Sequence, residues 1–251
     1  FTDPLAGMFV AAAGGAGGTC TGVGGNFLSA GQTSLAITGL TIPASGSCTV
    51  TVVVSGDIPG VHPNQASGVA SSEAATGAPS NSVSLTVTAA TPTIAKAFAP
   101  AAIVVNATST ITFTLANANG IPLTGAAFTD TLANMQVSAN GAAGGTCAGA
   151  AGNALTAGQT ALSFAGLTVP ANGACTVTVV VLGNVIGTHP NQASGVASAQ
   201  AATGAASNVA NLTVQPLPPT IAKQFLPASI VSGGVTTLRV TIGNANPSGI
   251  T

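Results

Sequence analysis

Polar and apolar residues alternate without a break along Thr110-Ile111-Thr112-Phe113-Thr114-Leu115. A period of two puts every second side chain on one face, so this segment predicts a strand with solvated threonines and a buried Ile111, Phe113 and Leu115. Leu238-Arg239-Val240-Thr241-Ile242 keeps the same phase and turns Arg239 outward. Cys175 through Val181 and Asn208 through Val214 read as further strands, set apart by Gly, Pro, Asn and Ser. No segment offers a capped, charged face at helical spacing.

The pattern also repeats on a longer scale. Asp3 and Asp130, Cys20 and Cys147, Cys48 and Cys175, His62 and His189, and Lys96 and Lys223 are each 127 residues apart, without insertion or deletion. Overlaying residues 1–124 on 128–251 leaves about 60% identity, including HPNQASGVA at 62–70 and again at 189–197. A unit of this size buries its own core, unlike the short units of a solenoid. Counted from the Pro-Thr-Ile at Pro92 and Pro219, residues 1–91 are the back of one copy, 92–218 a complete copy, and 219–251 the opening strands of a third. About seven or eight strands in ~125 residues is the pattern of an all-β fold of tandem immunoglobulin-like sandwiches. With Phe1 at its start and no basic, apolar leader, the chain reads as a window on a longer array. The linkers 88–91 and 215–218 are short, and Pro216, Pro218 and Pro219 stiffen the second, so neighbouring repeats are expected to form a rod.

Composition removes several functions. Three Lys+Arg stand against four Asp+Glu in 251 residues, too few and too scattered to neutralise a nucleic acid. A hydrophobic fraction of 46% with mean hydropathy +0.60 excludes charge-driven disorder. That hydropathy comes from Ala and Val scattered among Gly, Ser and Thr, and no apolar run is long enough for a membrane span. Trp and Tyr are absent and there are two His, so neither an enzyme nor a cofactor is expected.

Pro92-Thr93-Ile94-Ala95-Lys96-Ala97-Phe98-Ala99-Pro100, the block Phe128-Thr129-Asp130-Thr131-Leu132, Thr146-Cys147, and Gly173-Ala174-Cys175-Thr176-Val177-Thr178-Val179 recur in this order. They resemble the conserved repeat domain found in tandem in large bacterial surface proteins. The resemblance covers the whole chain and implies an extracellular, immunoglobulin-like repeat with a structural or adhesive role and no catalysis. This chain differs from many such repeats in its scarcity of acidic residues, which argues against calcium-stiffened linkers.

Each copy carries two cysteines, 28 apart. Without C-x-x-C spacing, and with one His per repeat, zinc lacks ligands, so Cys20 pairs with Cys48 and Cys147 with Cys175, as in an exported protein.

Most charge changes between copies: Asp57 becomes Asn184 and Glu73 becomes Gln200. Lys96/Lys223 and Asp3/Asp130 persist. Lys96 shares strand parity with Ile94 and Phe98, and Asp130 with Phe128 and Leu132, so both point into the core. A lysine whose head reaches solvent is one reading, and two others keep it in the core. One is a buried Lys–Asp ion pair. The other is an isopeptide bond from Lys96 to an asparagine, with Asp130 carrying protons, similar to those known in immunoglobulin-like surface-protein domains of Gram-positive bacteria; burial favours the neutral amine and protonated acid the attack requires. Parity favours Asn208 as acceptor, on the face of Ala210, Leu212 and Val214, with Asn191 the runner-up. Lys223 and Asp3 would meet in the same way where one copy joins the next.

Other features carry less. His189 has no Ser–Asp partnership readable from spacing. Gly14–Gly25 reads as a loop beside Cys20, since it leads from no strand into a helix. Thr49/Thr51 and Thr176/Thr178 are ordinary outward strand residues before they are an ice- or sugar-binding face. Asn106-Ala-Thr108 and Asn211-Leu-Thr213 would be glycosylation sequons only in a eukaryotic secretory pathway. The expected role is a structural repeat of an extracellular filament or surface fibre whose partner is itself, assembled head to tail. The alternative is the spacer stalk of a single-chain adhesin.

Overall fold

A computed structural model describes residues 1–246 together with 248 and 249. Among these the regular structure is strand throughout, apart from two single 3-10 turns at Val23–Gly25 and Ala150–Gly152. The complete repeat contains nine principal strands: β1 (Thr93–Ala99), β2 (Ala102–Val104), β3 (Thr108–Asn117), β4 (Leu123–Thr131), β5 (Met135–Val137), β6 (Ala161–Val169), β7 (Gly173–Gly183), β8 (Gly187–Asn191) and β9 (Ala210–Gln215). Two further two-residue strands, Gly141–Ala142 and Ala154–Leu155, pair in the Gly-rich arm, so the strand count exceeds the seven or eight expected.

Two layers enclose the core. The first sheet runs in the order β1-β3-β7-β5. The second consists of β6-β4 and β8-β9-β2, joined where the chain after β8 bridges β4 at Asp130↔Ala193 and Ala127↔Ala197. Strand β3 shows how patterning builds this: Ile111, Phe113 and Leu115 are fully buried, while Thr110, Thr112 and Thr114 face outward. Opposite them Cys175, Val177, Val179 and Val181 of β7 fill the same interior in register, Phe113 against Val177 and Leu115 against Cys175. Three rings close the centre, with Phe113–Phe128 centroids 4.9 Å apart and Phe128–Phe164 4.7 Å apart.

Residues 1–87 form a second, smaller core around Leu5, Met8, Val10, Cys20, Leu35 and Ile37. Here the segment equivalent to β7 has no β3 beside it. Cys48, Val50, Val52 and Val54 are only half-buried, whereas their counterparts in the complete repeat are buried. A groove of about 1190 Å³ opens along this face, lined in part by Phe1, Ile37, Leu40, Cys48 and Val50.

The third piece is a hairpin, β10 (Thr220–Leu226) with β11 (Thr237–Gly243). Its register copies that of β1 and β3: Lys223 lies opposite Val240 as Lys96 lies opposite Phe113. Its apolar face is bare. Ile221, Leu238 and Ile242 are 75%, 47% and 74% exposed, against 7%, 0% and 0% for Ile94, Ile111 and Leu115.

Both linkers are fastened alike. The Asn119 side chain bonds both polar groups of the Ala90 main chain, at 2.7 and 2.9 Å, and Asn246 does the same to Leu217. The first junction adds a contact between the two sandwiches, with Gly120 N donating to Asp57 O and Asn172 Nδ2 reaching Asp57 Oδ2 at 3.4 Å.

Candidate functional site: a buried Lys–Asp–Asn cluster and an open sandwich face

Strand parity carries Lys96 inward from β1 and Asp130 inward from β4, and β8 ends with Asn191 between them. All three are buried, to 4%, 3% and 5% exposure. Lys96 Nζ contacts both Asp130 Oδ2 and Asn191 Oδ1. The Asn191 amide is oriented by its other end, where Nδ2 donates to Thr131 O at 2.6 Å. Asp130 Oδ1 is buried with no hydrogen-bond partner among the described atoms. The rings of Phe98 and Phe113 stand 5.5 and 5.1 Å from the ammonium, so most of its surroundings are apolar. Burial pushes the Lys96 amine below its ordinary range, against the opposing hydrogen bond and charge of Asp130.

Asn208, the acceptor favoured by parity, is elsewhere. Strand β9 begins only at Ala210, so the alternation that put Asn208 on the core face does not extend to it. Its carboxamide lies along the outer edge of β1, accepting from Lys96 N at 2.8 Å and donating to Lys96 O at 2.9 Å. The side chain thus stands in for a neighbouring strand at an edge that has none. The group at Nζ is Asn191.

The smaller sandwich holds the same cluster without its lysine. Asn64 Nδ2 donates to Asp3 Oδ1 at 2.8 Å, and both residues are half-buried. Lys223 lies on the exposed hairpin, 5.8 Å from the Phe225 ring, and meets neither Asp3 nor Asn64 within the chain. The sequence reading passed over Asn64, although it stands 127 residues before Asn191 and the repeat alone would have found it.

Both cysteine pairs are disulfides, Cys20–Cys48 and Cys147–Cys175. Glycine makes room for them. Gly145 has φ of +114° and comes so close to β7 that a Cβ would stand 2.2 Å from Thr176 O. That approach lets Thr146 and Cys147 donate to Thr176 O at 2.9 and 3.0 Å, and Gly18 repeats it against Thr49. The segment Gly14–Gly25 is therefore a disulfide-bearing arm. His189 is buried, bonded through Nε2 to Val185 O at 2.7 Å and through Nδ1 to Asn134 at 3.3 Å, with no serine or carboxylate among these partners. Among the described residues no group of three or more His, Cys, Asp or Glu is arranged to hold a metal ion, and no helix is long and apolar enough to cross a membrane.

No curated protein matches the chain. The family model described as "Domain of unknown function (DUF7933)" matches it twice, over residues 1–87 and 92–214, the two segments that contain the two cores. Two matches in tandem over most of the sequence place the chain in a family: it belongs to the DUF7933 domain family.

Proposed function

We propose that this protein is a structural repeat of an extracellular filament that assembles head to tail, the hairpin β10–β11 of one copy seating in the groove of the next. The observation that carries the reading is the match between two incomplete surfaces. The hairpin has the strand pairing of β1 and β3 and exposes the apolar residues that those strands bury. The groove is lined by the residues, Phe1, Ile37 and Val50, whose counterparts Phe128, Phe164 and Val177 surround Phe113 in the complete repeat. Shifting the β3–β7 register by one repeat sets Leu238 against Val52, Val240 against Val50 and Ile242 against Cys48. Fully burying each such side chain contributes roughly 1.5–3 kcal/mol, and an open sheet edge is closed at the same time.

The contact is heterologous and does not close on itself, so its repetition gives a fibre. Seven formal charges in the whole chain offer little repulsion against lateral or axial association. Two disulfides suit an oxidising compartment.

A spacer stalk within a single-chain adhesin is the second reading. It is favoured by the Asn119 and Asn246 fastenings, which fix successive repeats to their linkers along one polypeptide. Electron microscopy of the purified chain over a concentration series tests the filament. Unbranched fibres that lengthen with concentration are expected. Monomers at every concentration would remove the head-to-tail reading.

A further inference from the structure

We propose that Lys96 and Asn191 become joined by an isopeptide bond inside the complete repeat, with Asp130 as the proton carrier. The inference goes beyond the filament reading and does not depend on it, because all three residues belong to one folded repeat.

The geometry has what the reaction needs and little else. The nucleophilic nitrogen touches the carboxamide it would attack, and the amide cannot turn away because Thr131 O holds its Nδ2. Asp130 touches the same nitrogen through Oδ2 and keeps a second, unpartnered oxygen in the buried space. In a purely structural ion pair, a buried carboxylate oxygen without a donor is a net cost. In a reacting cluster it is the place where a proton is held.

The steps balance without an outside reagent. Lys96 passes one proton to Asp130, leaving a neutral amine and a carboxylic acid, a transfer helped by burial of the amine beside Phe98 and Phe113. The amine attacks Asn191 Cγ while the Asp130 acid donates a hydrogen bond to Oδ1, where negative charge develops. A proton moves from the attacking nitrogen to Nδ2 through Asp130, the Cγ–Nδ2 bond breaks, and ammonia leaves with the proton first taken from the lysine. One C–N bond has formed and one has broken. Asp130 is a carboxylate again, and nothing has been oxidised or reduced.

The bond would tie β1 to β8, the first strand of one sheet to a late strand of the other, so pulling on the ends of the repeat would not peel β1 away. The disulfide Cys147–Cys175 spans a different part of the sandwich.

Denaturing mass spectrometry of the folded, purified chain tests this. The expected mass is one ammonia below that of the disulfide-bonded sequence, and proteolysis should release a branched peptide containing Lys96 and Asn191. Asp130→Asn, close to isosteric, is expected to restore the lost ammonia and abolish the branched peptide while circular dichroism still reports folded sheet. An unmodified mass in the folded wild-type chain overturns the proposal. So does a lost ammonia that maps to a cyclised asparagine with no branched peptide. If Asp130→Asn fails to fold, Asn191→Ala takes its place, and a branched peptide at Lys96 that survives that change equally overturns the assignment.

Discussion

Replacing Leu238 by alanine separates assembly from folding. In the free chain Leu238 is 47% exposed on β11 and belongs to neither core cluster, so its truncation leaves the stability of both sandwiches unchanged. In the proposed junction it takes the place of Ile111, which is fully buried against Val179. Truncating a buried leucine to alanine costs roughly 2–5 kcal/mol, depending on how far the site collapses. At a factor of ten for about each 1.4 kcal/mol, head-to-tail affinity should fall about 30-fold at the least, and up to several thousand-fold. Sedimentation velocity on matched dilution series reads the shift, with thermal unfolding of the same samples as the control. An unchanged assembly curve would refute the assignment of Leu238 to a buried junction. A large drop in unfolding temperature without change in assembly would show that β11 belongs to a fold other than the one described.

Replacing Cys147 and Cys175 together by serine should lower the unfolding free energy of the complete repeat by roughly 3–4 kcal/mol in the loop-entropy picture, read by denaturant titration. Asn191→Ala, which cannot form the bond, leaves Lys96 free to titrate beside Asp130. The folded amine then loses its proton below the ordinary value of 10.5, so the unfolded chain binds more protons in that window. Stability should therefore rise with pH toward about 10.5 and level off above it; a fall across the same range would contradict the burial argument, and the absence of Tyr keeps the titration clean. In assembled material Lys223 of one copy is expected beside Asp3 and Asn64 of the next, and a second ammonia should be lost at each junction. Boiling in denaturant and reductant would then leave a ladder rather than units of 23.5 kDa.

The sheets were legible because their faces are so differently composed. Alternating Thr with Ile, Phe and Leu in β3 leaves one choice of buried side, and the 127-residue period carries that choice to β11. The pairing of cysteines followed from their number, and the inward aim of Lys96 and Asp130 from parity. Parity failed at Asn208 because it holds only within a strand, and nothing in the residues before Ala210 marks where the pleat begins. Asn191 was harder to read: it follows Pro190 at the end of β8, and its contact with Lys96 crosses between sheets, a distance that alternation does not report. The fastening of the linkers by Asn119 and Asn246 was hidden for a similar reason, since side-chain bonds to a main chain about thirty residues away leave no periodic trace.

In the proposed filament the hairpin completes the sandwich of another copy. A high-resolution structure of the assembled material measures this directly. There β11 should lie antiparallel to residues 46–55 of the adjoining copy, with Leu238 opposite Val52, Val240 opposite Val50 and Ile242 opposite Cys48, and with Val240 filling the space between Phe1 and Ile37. A hairpin whose apolar face remains in solvent, or is covered by any other surface while residues 46–55 stay open, would contradict it.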